Sequence, residues 1–362
     1  MAHILVLEPY YGGSHARFVE GFRRHTRHTT TAYTLPARFW KWRMHGAAVT
    51  LARQVVDAGL RPDVVFASDM LDLTTFQALT RRRLADVPAV LYMHENQLTY
   101  PPPPGTKRDL HYGWINYASM LAAGRVLFNS QFHLDEFFDE LPRLLKHFPD
   151  FNNLATIREV RDNSQVLHLG VDLARHDAHR VEGDSGSPVI LWNQRWEYDK
   201  APATFFNALY RLADEGLDFR VILAGENFRN VPQEFAVARR RLGDRIIHYG
   251  WEDDPAAYSR LLWQADIVVS TAIHEFFGLA TVEAIYCDCY PILPNRLAYP
   301  ELLPPKTHRR HLYDDAAGLL DRLRWAVTHR DELGRHSLRR HASRFDWSHM
   351  VGEYDAVFDA IA

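Results

Sequence analysis

A chain of 362 residues exceeds one ordinary core and suits two domains of typical size. With 47% hydrophobic and 24% charged residues it buries enough apolar surface to offset its lost chain entropy, which excludes a disordered protein. A formal charge of −3 with neutral histidines excludes a globally basic nucleic-acid coat and leaves room for a local basic patch. The two cysteines, Cys287 and Cys289, lie in an apolar setting and read as reduced core residues rather than a disulfide framework. The segment from Met1 to Glu8 lacks a signal peptide's basic start and cleavage site, and no apolar stretch is long enough to cross a bilayer. A cytoplasmic protein with no membrane partner is the expectation.

His3 to Glu8 (HILVLE) reads as a buried strand, and Pro9 to Ser14 (PYYGGS) as a turn opening into a helical pattern through Phe18, Val19 and Phe22. Buried runs return at Asp63 to Ala67, Ala89 to Met93, Arg125 to Asn129 and Val166 to Leu169, with helical segments between them. Strands separated by helices predict a parallel sheet. Asp184 to Pro188 (DSGSP) has linker composition and sets a boundary near residue 180. A second series follows at Val189 to Trp192, Arg220 to Ala224, Arg245 to Tyr249, Asp266 to Ser270 and Tyr290 to Leu293. The reading is an α/β chain of two Rossmann-like domains, 1–180 and 181–340. Leu338 to Phe345 and Trp347 to Ile361 read as helices, and the terminal segment 341–362 is expected to pack back across both domains.

In the second half a strand leads into His274 to Gly278 (HEFFG) as a loop and Leu279 to Tyr286 (LATVEAIY) as a helix. A helix N-terminus at the carboxyl edge of a parallel sheet favours phosphate, and Gly278 lets a ligand approach the backbone. Glu275 lies in the loop and Glu283 about one turn inside the helix, so the two carboxylates address different parts of one elongated ligand. Carboxylates accept hydroxyl hydrogen bonds from sugars. Arg195 and Lys200, in Asn193 to Lys200 (NQRWEYDK), are the counter-charges a diphosphate beside two acids requires, or else a pair of surface salt bridges.

In the first half Gly12 and Gly13 follow the first strand directly, allowing either amides turned toward a phosphate or a purely structural turn. His94 opens a polar cluster, His94-Glu95-Asn96-Gln97-Leu98-Thr99-Tyr100, where a strand ends; it is suited to a ligand or to capping the turn. Arg38-Phe39-Trp40-Lys41-Trp42-Arg43 interleaves cations with aromatic rings, a composition that suits phosphates and unstacked bases but also a core. The 20 histidines include the pairs His25/His28, His176/His179 and His308/His311, which lack carboxylates in a ligand pattern. They read as solvated residues, and no metal is expected.

The acidic pair with seven intervening residues, Glu275-Phe-Phe-Gly-Leu-Ala-Thr-Val-Glu283, resembles that of the retaining GT-B glycosyltransferases of family 4. Arg195 with Lys200, Ala224-Gly225 at a strand end, and Tyr249-Gly250-Trp251 extend the likeness. It implies two sheets facing across a cleft, a nucleotide-sugar donor and no cofactor. By that resemblance Arg195, Lys200 and Gly225 serve the donor diphosphate, Glu275 holds the transferred sugar and Glu283 the ribose. The backbone of Phe276, Phe277, Gly278 and Leu279 completes the phosphate cradle. Gly12 and Gly13 face the diphosphate, and His94 hydrogen-bonds the sugar.

Four further segments, Glu8-Pro-Tyr-Tyr-Gly-Gly-Ser-His15, Phe39-Trp-Lys-Trp-Arg-Met44, His94-Glu-Asn-Gln-Leu-Thr-Tyr-Pro101 and Phe128-Asn-Ser-Gln-Phe132, together resemble the tRNA-queuosine α-mannosyltransferase family. That implies GDP-mannose as donor and the cyclopentene-diol of queuosine, in the anticodon loop of an aspartate tRNA, as acceptor. Glu275, His94, Arg195 and Lys200 would then be the catalytic set, and the acceptor would meet Tyr11, His15, Arg38, Trp40, Lys41, Trp42, Arg43, Asn96 and Gln97. Two other readings fit the composition: the same enzyme class with a lipid or saccharide acceptor, and a catalytically idle RNA-binding protein. The four charged donor-site residues speak against the idle form.

Overall fold

The computed structural model describes residues 1–101, 105–147, 149–181, 186–226 and 232–362. The chain divides into two units, 1–171 with 347–362, and 172–346. The first carries strands β1 (His3–Tyr11), β2 (Thr29–Pro36), β3 (Val64–Ser68), β4 (Ala89–Met93), β5 (Arg125–Phe128) and β6 (Ser164–Val166). They pair in parallel in the order β2-β1-β3-β4-β5-β6. The second carries β7 (Val189–Trp192), β8 (Arg220–Leu223), β9 (Ile246–Tyr249), β10 (Ile267–Val269), β11 (Tyr290–Pro294) and β12 (Leu312–Tyr313). These are parallel in the order β12-β11-β10-β7-β8-β9.

Every residue of β3, β4 and β7 is buried, as continuous apolar runs covered by helices on both faces require. Helix Gln131–Lys146 turns Leu134, Phe137, Phe138, Leu141, Leu144 and Leu145 onto the first sheet at three- and four-residue spacing. The Ser130 hydroxyl starts that helix by accepting from the His133 amide at 3.0 Å. In the second unit Trp192, Trp196, Phe205 and Phe235 form an aromatic centre, with Trp196 stacked on Phe235 at 4.0 Å between centroids.

β1, β2 and β6 depart from what the apolar runs predict. β1 runs on to Tyr11, so Pro9, Tyr10 and Tyr11 form a strand with an irregular register rather than a turn. β2 is an edge strand whose residues are mostly half-buried, and its sequence TTTAYTLP offers no apolar run to betray it. The fifth run lies earlier than its apolar residues suggest, at Ser164–Val166.

The units divide at 171/172 and 346/347 rather than near 180 and 340. The reason is local: the Asp346 carboxylate accepts from the amides of Leu173 at 2.9 Å and Ala174 at 3.2 Å, tying both ends of the second unit together. Of the linker DSGSP, Asp184 and Ser185 lie outside the described residues.

Helix Trp347–Ile361 belongs to the first unit and buries Trp347, Tyr354 and Phe358 there. A Cβ on Gly21 would stand 1.9 Å from the Trp347 ring and one on Gly170 2.4 Å, so both glycines are the space the indole occupies. His28, His176 and His311 are buried, contrary to their reading as solvated. Each has an internal partner: His28 the Ala2 amide, His176 the Ser259 hydroxyl and His311 the Pro291 carbonyl.

Trp347→Ala empties the space between two glycines that cannot fill it. It is expected to lower the stability of the first unit by about 3–5 kcal/mol in urea denaturation. A loss under about 1 kcal/mol would contradict this packing.

Candidate active site

The second unit gathers charge where β7 and β10 end. The 3₁₀ turn Tyr198–Lys200 follows β7, and the loop 270–278 follows β10. Lys200 is 5% exposed, and its ammonium donates to the His274 carbonyl at 2.9 Å. The same nitrogen lies 3.1 Å from Asp199 and 3.4 Å from Glu275. Burial opposes the charge on Lys200, but Glu275 and Asp199 outweigh it and raise the amine above its ordinary range. Burial likewise opposes ionisation of Glu275, yet Lys200 holds its carboxyl below the usual range.

Ala201 takes a left-handed backbone, φ 47°, directly after Lys200, a conformation costing roughly 1–2 kcal/mol for a residue with a Cβ. The Thr271 hydroxyl secures it by donating to the Lys200 carbonyl at 2.7 Å. The ammonium is thereby aimed by its own main chain.

Gly278, at φ 92°, precedes helix Leu279–Tyr286 and delivers the chain into its first turn. Phe276 and Phe277 bury their side chains, and Phe277 donates its amide to Glu275 at 3.4 Å. At Gly225 a Cβ would lie 1.9 Å from the Gln194 carbonyl, so the strand end and the turn carrying Arg195 touch through bare backbone. Arg195 is half-exposed and pairs with Glu197 at 3.3 Å. Burial and the Lys200 charge bring His274 down to about 4, so its ring is neutral.

Glu283 is 1% exposed and faces a different set of groups. Arg175 donates to one of its oxygens at 2.6 Å, and the Tyr258 hydroxyl donates to the other at 3.2 Å. Neither partner was named from sequence, because Arg175 is 108 residues away and carries no local pattern. Both Cys287 and Cys289 are free and buried, and burial raises both thiols, so they are inert fillers beneath this helix.

The first unit places polar groups at the carboxyl ends of β1, β3 and β4. Glu8 accepts from the Tyr10 amide at 2.8 Å and the Ser68 hydroxyl at 3.1 Å, and its second oxygen pairs with His15 at 3.1 Å. The His15 ring lies 4.2 Å from that of His94. Asp69 accepts from the His94 amide at 2.9 Å, and Asn129 donates to the His94 carbonyl at 2.8 Å.

Burial opposes the His15 imidazolium, but the Glu8 carboxylate prevails and raises it to about 9. Burial, then the charges of His15 and His133, push His94 well below its ordinary range, so it is neutral. Asp69 is raised, chiefly by burial. His94 Nε2 and Asp69 Oδ2 are buried with no hydrogen-bond partner among the described residues.

His15 and His94 are legible from motifs in the sequence, whereas Glu8 and Asp69 are not. The available signal was that each is the first ionisable group after a buried strand run. Ligand atoms of Glu8, His15 and His94 lie within 4.8 Å of one another, so a metal ion there would have to displace the His15 proton.

Gly12 and Gly13 open helix Gly13–His25, and the Tyr11 hydroxyl donates to Glu20 at 2.7 Å. Asn96 is fully buried and spends its side-chain oxygen on the amides of Leu98 and Thr99, so it shapes the loop. The Gln97 side chain donates to Glu95 at 2.8 Å.

In the Arg38–Arg43 segment Phe39 is 78% and Trp42 64% exposed, and Arg38 and Lys41 are exposed as well. Trp40 packs against Tyr112 with 5.0 Å between centroids, and Arg43 donates to the Pro36 carbonyl. The segment therefore points two aromatic rings and two cations into solvent around the first turn of helix Trp40–Asp57.

Residues 3–171 match the family described as tRNA-queuosine alpha-mannosyltransferase N-terminal, and 175–341 match Glycosyl transferases group 1. A tRNA-queuosine alpha-mannosyltransferase of Drosophila melanogaster is 36% identical over 331 residues, 89% of this chain and 86% of that protein. A GDP-mannose-dependent alpha-(1-6)-phosphatidylinositol dimannoside mannosyltransferase of Mycobacterium tuberculosis is 26% identical over 256 residues, 63% of this chain and 66% of that protein. The crystal structure of Anabaena Alr3699/HepE in complex with UDP superposes with a TM-score of 0.68 at 15% identity, covering 99% of this chain and all of that one. At that identity the likeness concerns the fold, which is GT-B.

A histidine raised from 6.5 to about 9 stabilises the fold fully below pH 6.5, and that contribution is lost as pH rises through 9. Glu8→Gln is therefore expected to cost about 3 kcal/mol near pH 6 and markedly less near pH 10 in urea denaturation. A cost independent of pH would contradict the ion pair.

Proposed function

The chain belongs to the tRNA-queuosine alpha-mannosyltransferase family, and on that premise we propose that it transfers mannose from GDP-mannose to queuosine in a tRNA. It is a nucleotide-sugar-dependent glycosyltransferase. The finer reading is transfer, with retention of anomeric configuration, to the cyclopentene-diol of queuosine in the anticodon loop of an aspartate tRNA. One observation carries the donor half: the buried Lys200 ammonium lies 3.4 Å from Glu275 beside the glycine-led start of helix Leu279–Tyr286. That is a fixed cation, an ionised hydroxyl acceptor and a helix N-terminus in one place.

As the bond from the anomeric carbon to the diphosphate breaks, negative charge grows on the leaving oxygen. Lys200, Arg195 and the amides from Phe276 to Leu279 stabilise that charge more in the transition state than in the ground state. No resident metal is needed for this. Glu275, kept ionised by Lys200, accepts hydrogen bonds from sugar hydroxyls. Glu283, held by Arg175 and Tyr258, accepts from the ribose.

Neutral His94 has an unpartnered Nε2 for a substrate hydroxyl, and the family resemblance assigns the amides of Gly12 and Gly13 to an anion. The acceptor hydroxyl attacks from the leaving-group face, and its proton passes to the departing phosphate oxygen.

For the acceptor, Arg38 and Lys41 supply cations and Phe39 and Trp42 supply exposed rings, the pairing that takes up unstacked bases of an RNA loop. Among the described residues no helix is long and apolar enough to cross a membrane. From action on tRNA we infer a cytoplasmic enzyme, in keeping with the free thiols of Cys287 and Cys289.

The test incubates the protein with GDP-mannose and queuosine-containing tRNA and measures the mass of the released nucleoside. Addition of one hexose is expected, and its absence with several nucleotide sugars overturns the reading. Glu275→Ala is expected to lower transfer by at least about 100-fold while tRNA affinity, measured by filter binding, is retained. An equal fall in both would contradict the assignment of Glu275 to the donor.

A further inference from the structure

The second unit holds a cavity of about 620 Å³ that none of the donor-site residues lines. Lys306, Arg309, Arg310 and Arg322 surround it, with the rings of Tyr290 and Trp325 in its wall. Tyr290 opens β11, whereas Glu275 lies beyond the carboxyl end of the neighbouring parallel strand β10. The cavity is thus set toward the opposite end of the sheet from the donor site.

Among the described residues none of the four cations has a carboxylate within ion-pair distance. The one acid in the lining, Asp321, is engaged by Arg324 at 2.8 Å. Arg322 is fixed by donating to the carbonyls of Gly318 at 3.2 Å and Arg309 at 3.1 Å, and its Nε is buried with no acceptor. Arg310 makes a hydrogen bond with His336 Nδ1 at 2.7 Å, an arrangement that needs a neutral imidazole. Burial and then Arg310 do hold His336 below its ordinary range. Burial brings neighbouring His311 down to about 4, and Arg310, His336 and Arg322 all act in the same direction.

Four cations left without counter-ions, in a chain whose net charge is −3, are a local excess that the fold does not neutralise. Such an excess beside aromatic walls fits a phosphate-ribose backbone.

We propose that this cavity is a second RNA-binding surface, in which Lys306, Arg309, Arg310 and Arg322 take up backbone phosphates of the tRNA while the Trp325 and Tyr290 rings line the groove. It rests on the tRNA acceptor proposed above. The surface adds affinity without reading sequence, since phosphate contacts position an RNA and carry no base information. An anionic membrane is the competing partner for a basic patch. It is disfavoured here because both large rings in the lining are largely covered rather than presented for insertion.

The test uses the full chain and labelled queuosine-containing tRNA, with affinity measured by fluorescence anisotropy across a potassium chloride series. In Lys306→Ala/Arg309→Ala both altered side chains are exposed and make no internal ion pair. The variant is expected to flatten the log–log salt slope by about 1.5 and to weaken binding roughly tenfold near physiological salt. The thermal shift given by GDP-mannose should stay that of the wild type, which also reports that the variant is folded. Lys306→Glu/Arg309→Glu should deepen the loss further.

If the wild type binds tRNA and both variants match its slope and affinity, the cavity is not an RNA surface and the acceptor reading stands. The proposal is equally overturned if the variants lose binding to phosphatidylserine vesicles but keep that to tRNA. Failure of the wild type itself to bind tRNA removes the acceptor reading together with this surface.

Discussion

A buried ammonium ion is tolerated in a protein only where its charge is matched, and in this chain the Lys200–Glu275 pair imposes that condition on a whole sheet end. Lys200 lies 3.1 Å from Asp199 and 3.4 Å from Glu275 and donates to the His274 carbonyl. To reach that position the chain accepts a left-handed Ala201, clasped by Thr271 at the end of β10. The loop that provides His274 and Glu275 must then turn through Gly278 into its helix, which brings the helix N-terminus beside the charge pair. Strain, loop path and helix start are consequences of seating one lysine. The same arrangement leaves the ammonium poised for an anion, because one of its partners is a carboxylate already suited to sugar hydroxyls.

The first unit solves a similar problem with a different pair. Glu8 and His15 form a buried ion pair, and burial together with the adjacent His15 cation keeps His94 neutral. A neutral ring with an unpartnered buried nitrogen hydrogen-bonds a hydroxyl at no cost in lost partners. Each sheet therefore presents a prearranged charge at its carboxyl edge, which is where parallel sheets collect ligands.

Much of this was legible in the sequence, for identifiable reasons. β4 and β7 fall where the apolar runs Ala89 to Met93 and Val189 to Trp192 predict them, since fully buried parallel strands have no polar residues to blur their ends. The loop 274–278 and helix Leu279–Tyr286 were equally readable, because the change of pattern occurs at a glycine. β2 escaped because an edge strand needs no buried face, and β12 because two residues have no periodicity. The candidate site was legible wherever a motif is local, as with Glu275 and Glu283. Its supports were not: Arg175 reaches Glu283 across 108 residues, and Glu8 meets Ser68 across 60. Asn96 illustrates the converse, a polar residue in a promising loop whose side-chain oxygen is consumed by the loop's own amides.

If Lys200 and Glu275 act on the donor as one unit, the effects of removing them are not additive. A double-mutant cycle measures this directly, using Lys200→Met, Glu275→Gln and the two together, with the rate of mannosyl transfer from GDP-mannose as the readout. Coupling above about 1.5 kcal/mol is predicted, with the double variant scarcely slower than either single one. Additive losses, with coupling below about 0.5 kcal/mol, would make the pair two independent charges that happen to be neighbours and contradict a shared role.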